Sequence, residues 1–458
     1  MLIICNKNVF CVLCKCKYIA PMSHLLTNTP HVRKATASDK MTAVLDAIES
    51  DFLTGNIKER KLIERLGRGK EVIDISSATS MNLFHDTTER KLGAVVKKEL
   101  AHLLEKFHSY PYLIQRDFGL EKAFSAFLKR WTGISIRLDE VAVSPSGVYG
   151  SYKTILLSRQ GKYVLAPELI HQINKACFAS LGKKVIEIPA ILETGLLNLE
   201  TLDRQLKRHA GDISCVYIYH TKPVKQIPHS YYLKLARLLQ KYDVLGVIDI
   251  DSWYTSYGLD SKPWLPLTIP LLRKHCLFLF TMTKEIGAPG LRIGFIVGQE
   301  NIVGGLKRFQ RLSLEMSSPV TRFLAELTLP RIDMDMARKT LQKRMKTLTD
   351  GLSSLGFKVQ VPPSGVNFFL HVPESFAASK RVLPDHIFTY HVLKNAHVLL
   401  RPGSNHGHRL NHWVRFVLGQ PEKNIREVIK RFRKAGICGD MPLPQGLEKE
   451  YEKVISSL

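Results

Sequence analysis

The sequence lacks a long apolar run. The most apolar candidate extends from Leu2 to Ala20, and five polar residues interrupt it: Asn6, Lys7, Asn8, Lys15 and Lys17. Because a helix that crosses a bilayer needs about 18 apolar residues, we expect no membrane-spanning helix. The chain has 458 residues, of which 45% are hydrophobic and 23% charged, which is typical of a globular protein with a large core.

Acidic residues are also scarce. Asp and Glu number 41 against 66 Lys and Arg, which gives a formal net charge of +25. Such a charge raises nucleic acid, anionic membranes and phosphorylated ligands as partners. The basic residues are spread along the chain, however, and no zinc-finger spacing or RNA-binding motif accompanies them. We interpret the charge as a basic surface and expect no nucleic-acid partner.

Several catalytic motifs are missing. The chain has no G-x-G-x-x-G after a strand, no G-x-x-x-x-G-K-[ST], no H-E-x-x-H and no G-x-S-x-G. Their absence argues against dinucleotide-binding, P-loop, zinc-peptidase and serine-hydrolase chemistry.

The eight cysteines form two groups. Four lie in apolar surroundings, as reduced core cysteines do, and favour a cytoplasmic location: Cys177, Cys215, Cys276 and Cys438. The other four lie in the first sixteen residues, where no second C-x-x-C fixes a metal site, so we expect no metal. We interpret residues 1–40 as a poorly ordered extension. A start at Met22 and an organellar transit segment remain alternatives.

From Val141 onward, short apolar runs alternate with helical patterns. The runs are VAVSPSG, YVLAP, KVIEIP, SCVYIYH, LGVIDID, CLFLF and RIGFIVG. Strands separated by helices predict an α/β fold with a mostly parallel sheet between helices. We assign residues 75–330 to this large domain and residues 331–458 to a smaller α+β C-terminal domain. Residues 41–74 are expected to form a helix and arm that pack on the smaller domain.

In open parallel sheets, ligands bind beyond the carboxyl ends of the strands. Lys284 follows the run CLFLF, so its amine is expected where water is scarce. A desolvated, neutral lysine is a nucleophile towards aldehydes. Gly287, Gly290 and Gly294 permit close backbone approach, and Arg292 supplies a cationic fork suited to phosphate. An aldehyde with a phosphate group is pyridoxal phosphate (PLP).

Two further strand ends carry suitable groups. In IDIDSWYTSYG, a carboxylate at Asp251 would keep a pyridine nitrogen protonated, and Tyr254 would hydrogen-bond the ring oxygen. Asp249 is a rival for the first role, and Asp251 is preferred because Tyr254 follows it by three residues. In SPSGVYG, Ser146, Gly147 and the amide of Val148 lie at a predicted strand-to-helix junction, which suits an anion.

With these residues, the chain resembles the class I/II aminotransferases, which are fold-type I PLP-dependent enzymes, over about residues 70 to 430. TMTKEIGAPGLRIG is similar to the family pattern S-x-S-K-x(4)-P-G-x-R-x-G, with threonines at both serine positions. DSWY resembles its D-x-x-Y, SPSG its phosphate-binding turn, and RPGSNHGHRLNHWVR its P-G…R block.

The resemblance implies an aminotransferase that moves an amino group between an α-amino acid and an α-keto acid. Lys284 would hold PLP as a Schiff base, with Thr281, Thr283 and Arg292 around the cofactor. Asp251 and Tyr254 would contact the ring, and Arg415 would bind the substrate's α-carboxylate. The resemblance also implies a homodimer.

Two departures keep alternatives open. The family asparagine that contacts the ring oxygen has no counterpart in the segment CVYIYHTKPVKQIPHS, since no asparagine occurs between Asn198 and Asn301; His220 or Gln226 could substitute. A protein that binds PLP without turnover is therefore one alternative. At the ring-stacking position the chain has His171, which resembles the α-oxoamine synthases and leaves acyl-CoA condensation as the other. An ordinary interior histidine is equally compatible.

Overall fold

The computed structural model describes residues 61–67, 71–76, 94–95, 97–99, 119–145, 152, 155–156, 160–168, 170, 172–191, 196–220, 227–250, 264–282, 289–312, 317–362 and 365–457. The strands are Ile73–Asp74 (β1), Val141–Pro145 (β2), Tyr163–Pro167 (β3), Lys184–Ile188 (β4), Ala190–Ile191 (β5), Leu196–Leu197 (β6), Ile213–Tyr219 (β7), Gly246–Asp249 (β8), Cys276–Thr281 (β9), Ile293–Val297 (β10), Asn367–His371 (β11), Val398–Leu399 (β12), Arg401–Pro402 (β13) and Trp413–Val417 (β14).

The principal helices alternate with these strands in the first part of the chain and dominate the later part. They are Gly119–Thr132 (α1), Gln172–Ser180 (α2), Leu199–Arg208 (α3), His229–Tyr242 (α4), Pro270–His275 (α5), Glu300–Leu312 (α6), Pro319–Thr328 (α7), Met334–Ser353 (α8), Pro384–Ala396 (α9), Glu422–Lys434 (α10) and Leu447–Ser456 (α11).

A seven-stranded sheet has the order β2-β10-β9-β8-β7-β3-β4. Each of the seven predicted apolar runs forms one of its strands. The pairs β9–β8, β8–β7, β7–β3 and β3–β4 are parallel, whereas β10 is antiparallel to both of its neighbours. The predicted mostly parallel sheet is therefore confirmed, with one strand reversed near its end.

Burial on both faces explains the apolar runs. All seven residues of β7 and all six of β9 are buried, as expected for parallel strands covered by helices on both sides. One face carries an apolar core in which the rings of Phe124 and Phe295 stack with centroids 3.8 Å apart. The opposite face carries a second core that contains Tyr152 and Tyr217.

The helices that cover the sheet are amphipathic and capped. Helix α3 begins after Asn198, whose side chain accepts a hydrogen bond of 2.9 Å from the backbone N–H of Thr201, which satisfies one otherwise unpaired donor of the first turn. Helix α4 ends at Asp243, which has a left-handed φ of 49°. This conformation closes the helix so that the chain turns back into β8.

A separate hydrophobic core joins the C-terminal part of the chain to residues within 62–66 and 72–75. It contains buried residues between 337 and 447 together with Leu62, Ile73 and Ile75. Strand β1 pairs with β12 in parallel, with Ile73 opposite Val398. Strands β11, β14 and β13 form a three-stranded antiparallel sheet in that order. The domain boundaries assigned from the sequence stay a prediction.

Gly403 provides a test of packing in this second core. It follows β13, and a Cβ at this position would lie 2.3 Å from the backbone oxygen of Leu410 and 2.5 Å from that of Trp413. We predict that Gly403→Ala lowers the free energy of unfolding by about 2 kcal/mol, because overpacking against backbone cannot relax through a rotamer change. The measurement is the midpoint of thermal unfolding.

Gly304→Ala is the matched control for Gly403→Ala. At Gly304 the nearest atom to a new Cβ is Arg308 Nη1 at 4.0 Å, and alanine favours the helix. The midpoint of this variant should stay unchanged or rise. Equal midpoints for the two variants would contradict the close packing at Gly403.

Candidate active site

One edge of the seven-stranded sheet collects the strand ends that the sequence analysis selected. Because β2 and β9 both run opposite to β10, they are parallel to each other and to the remaining strands. Their carboxyl ends therefore lie at the same edge as the amino end of β10. We call this edge the carboxyl edge of the sheet. The residues at this edge are Pro145, Pro167, Tyr219, Asp249, Thr281 and Ile293.

Two of the predicted cofactor-binding residues lie at this edge within the described residues. Thr281 ends β9, is 6% exposed and pairs with Gly294 of β10. Arg292 immediately precedes Ile293, which pairs with Pro145 at the end of β2. A threonine hydroxyl and an arginine fork are donors that suit a phosphate ester, so this chemistry fits the phosphate end of PLP.

Arg292 also has an unusual backbone conformation, with a φ of 51°. A left-handed conformation costs a residue with a Cβ about 1–2 kcal/mol, and such strain is concentrated at functional sites. The strain at Arg292 is therefore a second structural indication that this strand start has a role beyond sheet formation.

The other predicted residues of this edge lie outside the described residues. They are Ser146, Gly147, Val148, His171, Asp251, Tyr254, Thr283 and Lys284. By chain order, Ser146 follows β2 directly, Asp251 lies two residues after β8, and Lys284 lies three residues after β9. Their roles stay predictions.

Arg415, the predicted substrate-binding arginine, lies in β14. Its Nη2 donates a hydrogen bond of 2.7 Å to the backbone oxygen of Ser76. Ser76 is held in turn by Asp74, whose Oδ1 accepts from both the N–H and the hydroxyl of Ser76. The guanidinium is thus oriented by a segment far from it in sequence.

The sheet register adds a second arginine that the sequence analysis missed. Arg401 of β13 is the direct cross-strand partner of Arg415, whose partner on the other side is Phe369 of β11. Directly paired residues project from the same side of a sheet, and like charges in this position are unfavourable. The available sequence signal was the position of Arg401 immediately before the P-G-S block.

An ion pair connects this small sheet to the edge of the large one. Arg409 Nη1 lies 2.8 Å from Glu168 Oε1, and Glu168 is the first residue after β3. Glu168 Oε1 also accepts a hydrogen bond of 3.0 Å from the N–H of Ala190. The segment that leads into β14, and so to Arg415, is therefore attached beside the carboxyl end of β3.

Asp249, the alternative to Asp251 for the ring-nitrogen role, is buried below this edge and hydrogen-bonded there. It is 3% exposed, and its Oδ2 accepts hydrogen bonds from the hydroxyls of Tyr152 at 2.7 Å and Tyr217 at 2.8 Å. Tyr217 lies in the apolar run SCVYIYH, Tyr152 lies in none of the runs, and neither tyrosine was among the predicted site residues.

His220, considered as a replacement for the family asparagine, has its Nδ1 in a hydrogen bond of 2.7 Å with the hydroxyl of Tyr232. Its ring also lies against Trp264, with centroids 6.1 Å apart. These contacts favour a histidine that packs between β7 and α4. Gln226, the other candidate, lies outside the described residues.

The contacts of His220 lead to a pH prediction. Burial lowers the pKa of His220 from 6.5 to about 4. Below about pH 6.5 the unfolded chain binds a proton here and the folded protein does not, so the free energy of unfolding falls as pH decreases through this window. We expect His220 to account for a loss of about 2 kcal/mol between pH 7 and pH 5.

Chemical denaturation of wild type and His220→Gln at both pH values measures this loss. The variant loses the hydrogen bond to Tyr232 at every pH, but its free energy of unfolding should fall less between pH 7 and pH 5. Parallel decreases in the two proteins would rule out His220 as the source.

Two further features do not occur in the described residues. Among them, no group of three or more His, Cys, Asp or Glu side chains could hold a metal ion. No helix in this part of the chain is both long and apolar enough to cross a membrane. The cysteines of the first sixteen residues lie outside the described part.

The fold defines the class of fold-type I PLP-dependent transferases. Apo-BacF from Bacillus subtilis has the same fold, with a TM-score of 0.70 at 20% identity over 84% of this chain and 95% of that chain. An aspartate aminotransferase double mutant from Thermus thermophilus gives a TM-score of 0.67 at 18% identity over 83% and 95% of the two chains.

Residues 78–432 match the family model described as aminotransferase class I and II, and the chain belongs to this family. It is 24% identical to LL-diaminopimelate aminotransferase from Halothermothrix orenii over 72% of this chain and 84% of that protein. It is 23% identical to glutamate-pyruvate aminotransferase AlaC from Escherichia coli over 84% and 91% of the two.

Family membership confirms the predicted activity class. The chain is a PLP-dependent aminotransferase with amino acids and keto acids as substrates. The relatives named above are aminotransferases rather than acyl-CoA-condensing enzymes, so the comparisons favour the first of the predicted activities.

Proposed function

We propose that amino-group transfer takes place at the carboxyl edge of the seven-stranded sheet, with Lys284 as the residue that binds PLP. The observation that carries this proposal is the register of β2, β10 and β9. It brings Arg292 next to the end of β2, from which the chain continues into Ser146, and Thr281 to the other side of β10. Three segments selected separately for phosphate binding thus start from adjacent strand ends.

When bound, PLP supplies an electron sink for the bonds at the substrate's Cα. Lys284 would hold the cofactor and would serve as the general base and acid at the substrate's Cα. Asp251 would keep the ring nitrogen protonated, Tyr254 would donate a hydrogen bond to the ring oxygen, and His171 would stack on the ring. The residues that would bind the phosphate are Ser146, Gly147, Val148, Thr281, Thr283 and Arg292.

Arg415 binds the α-carboxylate of the substrate through the planar fork that lysine lacks. The hydrogen bond from its Nη2 to Ser76 fixes the plane of the guanidinium. Arg401, directly across from Arg415 on the same side of the sheet, adds a second cation. We therefore infer that the preferred substrate is an amino acid with a second acidic group.

The active enzyme is proposed to be a homodimer in the cytoplasm. Homodimers are typical of the family, which supports the first part of this proposal. The second part is supported by Cys177, Cys215, Cys276 and Cys438, which are thiols rather than disulfides and match a reducing compartment. Analytical ultracentrifugation measures the oligomeric state. Microscopy of the tagged full-length chain shows whether the protein is in the cytoplasm or in an organelle.

The visible spectrum of the purified protein tests cofactor binding. We expect wild type reconstituted with PLP to show a chromophore that borohydride reduces, and Lys284→Ala to lack it, because no amine is then available at that position. Addition of an amino acid without keto acid should shift the wild-type band. A bound chromophore that no amino acid shifts would support PLP binding without turnover.

The roles of Arg415 and Arg401 can be distinguished by their effects on KM for different substrates. Arg415→Lys should raise KM at least about tenfold for every amino acid, since the bidentate pair is lost (about 1.4 kcal/mol). Arg401→Gln should raise KM for aspartate or glutamate by a similar factor and leave KM for alanine nearly unchanged. Steady-state kinetics measures both, and an equal effect of Arg401→Gln on all three substrates would contradict the second-anion role.

A further inference from the structure

Five buried polar side chains form a hydrogen-bonded group beneath the carboxyl edge of the large sheet. We call it the tyrosine–aspartate cluster, and its members are Tyr152, Asn174, Tyr217, Tyr219 and Asp249. Asp249 Oδ2 accepts from the hydroxyls of Tyr152 at 2.7 Å and Tyr217 at 2.8 Å. Asn174 Nδ2 donates to the hydroxyl of Tyr217 at 3.2 Å and also to that of Tyr219.

The cluster lies in the apolar core on one face of the sheet. Tyr152 and Tyr217 are 1% exposed and Asp249 is 3% exposed. Burial raises the pKa of both tyrosines well above 10, so their hydroxyls keep the protons that they donate to the carboxylate. A buried carboxylate is costly unless hydrogen-bonded, and the two hydroxyls provide this compensation at Oδ2.

Maximal stability does not require such a group. The opposite face of the same sheet is packed with the apolar rings of Phe124, Phe280 and Phe295. Buried ionic groups are often no more stabilising than apolar residues of similar volume. What they add is a defined geometry, because a satisfied hydrogen-bonded network permits only one arrangement of its side chains.

The members of the cluster occur just beside the predicted cofactor residues in the chain. Tyr152 lies four residues after Val148, Asn174 three residues after His171, and Asp249 two residues before Asp251. The three segments belong to different elements of the fold, after β2, at α2 and at β8. The cluster therefore connects the starting points of three predicted cofactor contacts: the phosphate turn, the stacking residue and the ring-nitrogen carboxylate.

We propose that the tyrosine–aspartate cluster is a positioning unit for PLP, in which Asp249 holds the three cofactor-binding segments in register through Tyr152, Tyr217 and Asn174. This inference rests on the proposed function at the same sheet edge. Asp249 and its partners are positioning residues, since they act through the segments that follow them. The sequence signal is Asp249, the first aspartate of I-D-I-D, together with the tyrosines of the adjacent strand.

The test compares Tyr152→Phe and Asp249→Asn with Tyr232→Phe. Each change preserves the size of the side chain. Tyr232 is a matched control because it is also fully buried and hydrogen-bonded, to His220, but belongs to the core on the opposite face of the sheet. Measurements are the thermal midpoint of the apoprotein, the dissociation constant for PLP by fluorescence titration, and the visible circular dichroism of the bound chromophore.

We expect Tyr152→Phe and Asp249→Asn to raise the dissociation constant for PLP about tenfold and to weaken the visible circular dichroism. Tyr232→Phe should change the dissociation constant less than about twofold at a similar loss of apoprotein stability. The double variant Tyr152→Phe/Asp249→Asn should bind PLP about as weakly as Asp249→Asn alone, because the effects of substitutions within one hydrogen-bonded network are not additive. If Asp249→Asn does not fold, Tyr152→Phe and Tyr217→Phe take its place in the same comparison.

The outcomes separate this inference from the function on which it rests. If wild type binds PLP and Tyr152→Phe has the same dissociation constant and circular dichroism as Tyr232→Phe, the positioning role is overturned and the proposed site is left intact. Wild type without a borohydride-reducible chromophore overturns the proposed site and the positioning role with it. Fully additive losses in the double variant also contradict a single unit.

Discussion

The antiparallel placement of β10 between β2 and β9 is the constraint on which the site depends. Adjacent strands lie about 4.8 Å apart, so the ends of β2 and β9 are separated by about 9.6 Å. The start of β10 lies between them, and Arg292 immediately precedes it. The proposed phosphate site lies above these strand ends, where β2 and β9 end and β10 begins. A parallel β10 would have put Arg292 at the opposite edge.

The second requirement is an arginine presented from a different part of the fold. Arg415 lies between Val414 and Phe416, which belong to a core that also includes Leu62, Ile73 and Ile75, and its guanidinium hydrogen-bonds the backbone of Ser76. The pair Arg409–Glu168 attaches the neighbouring segment to the large sheet. The predicted substrate contact thus depends on the packing of Ser76 and its neighbours against the C-terminal part of the chain, whereas the predicted cofactor contacts depend on the register of the large sheet.

Local sequence patterns were sufficient to predict the strands of the large sheet but not their directions or their pairing. The runs that form β7 and β9 are apolar because both faces are buried, and that property is visible in sequence. The direction of β10 is not, since a continuous apolar run is the same in either direction. The pairing of Ile73 with Val398 joins residues over 300 positions apart, beyond any local signal. Asp249 was noticed only as a rival of Asp251, because Tyr152 and Tyr217 look like ordinary core residues in sequence.

The central claim is that PLP is bound at the end of β9. The most direct measurement is peptide mapping by mass spectrometry after the PLP-loaded protein has been reduced with borohydride. The account predicts one stoichiometric pyridoxyl modification, on the peptide that contains Lys284. Modification of another lysine, or a low level spread over the many surface lysines of this basic chain, would contradict it.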